Sequence, residues 1–182
     1  MKRYSGLIFS ALFPYVIVLA MFALFNDAIM INIFQSNAFL LIGSVLLWWG
    51  VSLISLLITM VIATQRKWDS CELAKVNMIL KTAQIPAYVI IFLAGLLCMI
   101  TVFTLPGTIL LMLFDCLAII LSGIFAAYGA IRCYKEKSIN KKQCIILAIG
   151  QFIFCVDVVC AIVLFIAAGR KKDVNKLRNA MD

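Results

Sequence analysis

Two aspartates stand alone inside long apolar runs. Asp115 lies in the run 107–131 and Asp157 in the run 144–168, and the basic loop CYKEKSINKKQ separates them. At about 1.5 Å of rise per residue, Asp115 sits roughly 12 Å from the start of its helix and Asp157 roughly 16 Å from the end of the next. Antiparallel helices would bring both acids to a similar depth below one membrane surface. Two carboxyls facing each other in a low-dielectric interior do not both ionise cheaply, so the pair would hold a proton or bind a cation. Ser122, seven residues after Asp115 on the same face, is the candidate neutral ligand. The competing reading is structural: each carboxyl bonds to Ser, Gln or backbone across the bundle and locks helices together.

The elements that must position these acids follow from composition. The 182 residues are 65% hydrophobic and 13% charged, against about half and a quarter in soluble domains. The excess is gathered in runs long enough to cross a bilayer, which predicts an all-α integral membrane bundle of about five transmembrane helices. The expected spans are 6–25, 38–63, 82–103, 107–131 and 144–168, in a single domain over 1–182, followed by a basic tail from 169 to 182. A short interfacial helix is expected before the third span, since Asp69 and Glu72 have capping-box spacing with Trp68 and Leu73 as a hydrophobic staple. Lys75 and Lys81 fit that interfacial start. Pro106 and Gly107 suit the centre of a type II turn, Asn140 and Gln143 cap span five, and Gly169 stops it.

Two further polar constellations are candidates for contact. On span two, Ser44, Trp48, Ser52, Ser55 and Thr59 fall on one face, as either a helix-packing surface or the wall of a polar cavity. On the approach to span three, Asn77, Lys81, Gln84 and Pro86 form a polar face, bent at Pro86, where a gate or partner contact could sit.

Histidine is absent, and the seven cysteines form no C-x-x-C pair. No catalytic triad, metal motif or phosphate loop is present. The residues therefore predict no enzyme activity, no cofactor and no metal, with reduced thiols as packing residues. The net charge of +8 clusters at the ends of apolar runs, which points to anionic lipid headgroups and not to nucleic acid.

Lys and Arg number two before span one, four in the linker before span three, five in the loop before span five and five in the tail. The other two connections carry none. Five spans with a cytoplasmic N-terminus then place eleven of these charges inside and leave the tail's five outside. The loops favour that orientation, and the tail contradicts it.

The stretch AKVNMILKTAQIPAYVIIFLAGLL and the later QFIFCVDVV resemble a group of small, uncharacterised polytopic membrane proteins of Gram-positive bacteria, from about residue 70 onward. That resemblance implies a plasma membrane and carries no assigned activity. The leading expectation is an accessory or interaction subunit, with a membrane-protein partner or a homo-oligomer. The alternatives are a small proton- or cation-coupled transporter or channel using Asp115 and Asp157, and a lipid-binding protein using the span-two stripe.

Overall fold

The computed structural model describes residues 5–100, 105–153 and 156–179. Among them are seven helices: α1 (Ser5–Leu24), α2 (Asp27–Asn32), α3 (Ala38–Gln65), α4 (Ser70–Cys98), α5 (Leu105–Lys135), α6 (Lys141–Gly150) and α7 (Val156–Asn179). Four helical segments among the described residues are long and apolar enough to cross a membrane: Gly6–Leu24, Ala38–Gln65, Ser70–Cys98 and Gly107–Lys135. Large apolar side chains along them, such as Leu19, Leu47, Leu97 and Met112, face outward. In water that exposure would be prohibitive, whereas lipid solvates it. The chain is an all-helical, multi-pass membrane protein with four candidate spans.

Contacts gather the chain into two compact units, residues 1–58 with 84–118 and residues 59–83 with 119–182. In the first unit, α1 packs on α3 through polar and aromatic contacts. The Ser52 hydroxyl donates to the Phe9 carbonyl at 3.2 Å, and the Phe9 and Trp48 rings lie 5.7 Å apart between centroids. Trp49 Nε1 donates to the Leu117 carbonyl at 3.1 Å, and Gln84 Nε2 donates to the Ser10 carbonyl at 3.0 Å. Each bond removes a polar group from an environment that offers no water.

The second unit contains a helical hairpin. Asn140 starts α6, its backbone N–H donating to the Gln143 side chain at 3.0 Å, as the capping-box spacing predicts. Beside α5, Cys144 Sγ reaches the Ala130 carbonyl at 3.6 Å. One helix later, Gly150 ends α6 against α7, and a methyl built on it would lie 2.5 Å from Cys160 Sγ. From there α7 returns along α5. Leu164 reaches Gly129, whose added methyl would sit 3.8 Å from it. Ala168 then joins Ile139, Cys133 and Cys144 in the buried cluster at the starting end.

Several expectations are corrected here. No single helix covers 144–168. The chain turns at Gln151–Ile153, where the Phe152 and Ile153 N–H groups bond back to Ile149 and Gly150 at 3.0 and 3.3 Å. The helix does not stop at Gly169 either, because α7 runs on to Asn179. Pro106 and Gly107 lie in the first turn of α5 and not at the centre of a type II turn. A proline costs little there, since its missing N–H would have had no partner. The surface helix expected before span three is not separate: α4 runs unbroken from Ser70 through Pro86 to Cys98. The short connecting helix lies instead before α3, at Asp27–Asn32. The end of the third expected span at Phe103, Thr104 of the expected turn, Cys155, and the basic residues Lys2 and Arg3 lie outside the described residues.

Candidate functional site

The polar centre of the second unit is built from three helices. α4 supplies Lys81, α5 supplies Ser122 and α7 supplies Asp157. Lys81 and Ser122 are fully buried and Asp157 is 3% exposed. Lys81 Nζ donates to Asp157 Oδ2 at 2.5 Å and to Ser122 Oγ at 2.8 Å. Ser122 in turn donates to the Ile119 carbonyl at 3.3 Å. The second carboxylate oxygen, Asp157 Oδ1, accepts the Val158 backbone N–H at 2.8 Å.

Local structure explains why Asp157 stands there. It occupies the first turn of α7, where backbone N–H groups are unsatisfied and the helix dipole favours a negative charge. An acid read from the sequence as a mid-span residue is a helix-starting residue. Lys81 is likewise corrected: it is fully buried, not part of an interfacial start, while Lys75 is exposed. Lys81 is 11 residues into α4, a rise of about 16 Å from its start.

The structure thus gives Asp157 a lysine as its partner, in the role the sequence reading offered to Asp115. Ser122 does join the site, as a neutral acceptor for Lys81. Asp115 belongs to the other unit. On α5 it lies seven residues from Ser122, about 10 Å of helical rise. It stands half-buried in a groove of about 200 Å³, beside Ile91, Thr108 and Met112.

The polar face of α4 turns inward throughout: Asn77, Lys81 and Gln84 are all buried, while Pro86 is exposed. Asn77, one turn from Lys81, has no hydrogen-bond partner on either amide atom among the described residues. Gln151, at the corner between α6 and α7, is fully buried with its amide in the same condition. Nothing in the apolar run singled Gln151 out except its polarity.

Along the α3 stripe, Ser52 and Thr59 are buried, Trp48 and Ser55 half-buried and Ser44 exposed. Ser44 bonds within its own helix, to the Leu41 carbonyl at 2.7 Å. In the first unit, Ser52 and Trp48 make packing contacts with Phe9 of α1. An apolar groove of about 230 Å³ in that unit is lined by Ile17, Met21, Leu41 and Phe114 among others, and not by the stripe.

Among the described residues, no group of three or more Cys, Asp or Glu has metal-binding geometry. No protein-family model, curated protein or solved structure matches this chain.

Proposed function

We propose that this chain is a non-enzymatic, multi-pass plasma-membrane protein that acts as an accessory or interaction subunit of a membrane complex. The observation that carries this reading is the internal neutralisation of Asp157 by Lys81 at 2.5 Å. A carboxylate already paired with the protein's own cation, inside a core where charge is costly, serves as a latch between helices. It holds the α6–α7 hairpin to α4 and α5. Asp115 stands half-buried at a groove wall. A partner's transmembrane helix would fit in that groove, whether from a second copy or another protein.

The membrane course follows from helix length. α6 has 10 residues, about 15 Å, too short for a core of about 30 Å. The hairpin therefore enters from the basic side and returns to it, and four spans cross. With the tail returned, every Lys and Arg outside the buried pair falls on one side, and the connections at 25–37 and 99–104 carry none. That distribution supports a cytoplasmic N-terminus and tail. The conflict created by five spans disappears. The resemblance of two stretches to small membrane proteins of Gram-positive bacteria is what suggests a bacterial plasma membrane in this proposal.

Affinity purification of the tagged chain from native membranes in mild detergent tests the proposal. A specific membrane-protein partner, or a stable oligomer, should accompany the wild type and be lost from Asp115→Leu, with the helical fold retained. A chain that purifies alone as a monomer after crosslinking in intact membranes refutes it.

A second reading is favoured by the buried, unsatisfied amides of Asn77 and Gln151, since such groups call for a polar partner. It is a small proton- or cation-coupled carrier using Asp115 and Asp157, in which Lys81 is displaced during transport. Flux into reconstituted vesicles that is abolished by Asp157→Asn or Asp115→Asn, with folding preserved, distinguishes it.

A further inference from the structure

Two lysines in this chain adopt a backbone conformation that glycine adopts far more readily. Lys67 has φ 48° and Lys137 has φ 58°, in the left-handed region where a Cβ crowds the backbone. Both occupy the same structural position. After α3, the Trp68 N–H bonds to the Ala63 carbonyl at 3.1 Å and the Lys67 N–H to the Thr64 carbonyl at 3.3 Å. After α5, the Ser138 N–H bonds to the Cys133 carbonyl at 2.8 Å and the Lys137 N–H to the Tyr134 carbonyl at 2.9 Å. These are two Schellman caps, in which the left-handed residue is usually glycine. Gln35 (φ 52°) and Ser36 (φ 59°) share the left-handed region, but at 67 and 137 the left-handed residue is a lysine that closes a Schellman cap.

The two turns are joined. Arg132 Nη2 donates to the Trp68 carbonyl at 3.1 Å, and the Ser70 N–H reaches Glu136 Oε2 at 3.4 Å. Trp68 is 1% exposed and anchors the first turn, while both lysine side chains are exposed. Arg66, Lys135, Lys141 and Lys142 lie in the same two connections and are also exposed. The carboxylates nearby are Asp69, Glu72 and Glu136, the last of which bridges Arg132 at 3.7 Å. Cations at the carbonyl ends of α3 and α5 meet the negative end of each helix dipole.

We infer that the paired Lys67 and Lys137 turns form a headgroup site that takes the phosphate of an anionic phospholipid in the cytoplasmic leaflet. The inference rests on the membrane course proposed above. Exposed ammonium groups at this level sit where the surface potential of anionic lipids acts, and each contributes to headgroup attraction. The Arg132–Trp68 and Ser70–Glu136 contacts tie the two turns together, so both exposed lysines serve one headgroup region.

The test uses the purified full chain in nanodiscs of phosphatidylcholine alone, of phosphatidylcholine with phosphatidylglycerol, and of phosphatidylcholine with millimolar inorganic phosphate. For wild type, phosphatidylglycerol should raise Tm and be retained in native mass spectra, while inorganic phosphate should do neither. Lys67→Gly/Lys137→Gly relieves two left-handed lysines, so in phosphatidylcholine its Tm should rise, on the order of 3 °C. It should lose at least half of the shift that phosphatidylglycerol produces. Lys75→Gln, which removes a charge outside the turns, should keep that shift. The inference is overturned if the double variant keeps the full phosphatidylglycerol shift, if it melts lower than wild type in phosphatidylcholine, or if inorganic phosphate gives the wild type the same stabilisation. Labelling of the tail from outside the cell would instead sink the membrane course, a separate outcome that leaves the lipid measurement readable.

Discussion

Lys81 shows how a residue's meaning depends on what it meets. Counted along the chain, it is one more positive charge near a membrane surface. In the fold it is fully enclosed and bonded to Asp157 and Ser122. Removing one partner of such a pair leaves an uncompensated charge in a medium that cannot solvate it. Lys81→Met or Asp157→Leu alone should therefore destabilise the protein by about 3–5 kcal/mol. The double variant Lys81→Met/Asp157→Leu should recover most of that loss, since apolar side chains of similar size often replace a buried pair without penalty. Thermal unfolding in detergent across the four proteins of this cycle measures the coupling. Additive losses would mean that the two groups do not interact. Ser122→Ala, which removes one acceptor from Lys81, should cost about 1–3 kcal/mol in the same assay.

At the level of elements, the α6–α7 hairpin depends on glycines where backbones approach closely. A methyl on Gly150 would lie 2.5 Å from Cys160 Sγ, and one on Gly123 would lie 2.8 Å from Phe152 Cε1 and 3.2 Å from the Gln151 carbonyl. Each clash requires a neighbour to shift: the Cys160 side chain at Gly150, and the Phe152 ring with the Gln151 carbonyl at Gly123. Gly123→Ala and Gly150→Ala should each destabilise by about 1–3 kcal/mol and speed proteolysis in the loop between α5 and α6. Gly43→Ala, where nothing lies within 4 Å of the added methyl, should have no such effect, nor favour proteolysis there. Equal behaviour of all three variants would show that the hairpin is not held by close approach at those two positions. The apolar run of 144–168 hid this corner because periodicity reports which side chains are greasy. It does not report where a helix axis turns back.

For the whole molecule, the proposed re-entrant course of the hairpin would set the number of crossings and therefore the side on which the tail emerges. Cysteine substitutions in a background with the native cysteines replaced offer a direct measurement in intact cells. Lys137→Cys and Arg178→Cys should both resist a membrane-impermeant maleimide until the membrane is opened. A cysteine at Asn32 should react from outside. Labelling of position 178 without permeabilisation would restore a fifth crossing and remove the argument from charge.

The chain's membrane character was legible from the start. Run length and the scarcity of charge predict α1, α3 and most of α4 and α5, since an apolar stretch about 30 Å long has few other places to go. Helix starts at Ser70 and Asn140 were equally readable, because caps are local chemistry. The burial of Asn77, Lys81 and Gln84 was visible only as a polar face, with its direction unspecified. What tertiary structure alone decided was the pairing: Lys81 with Asp157, 76 residues apart in sequence, and α6 folded back on α7. A buried charge selects its partner by position in space, and in a sequence the nearest acid by pattern, Asp115, competed on equal terms with the nearest base by fold.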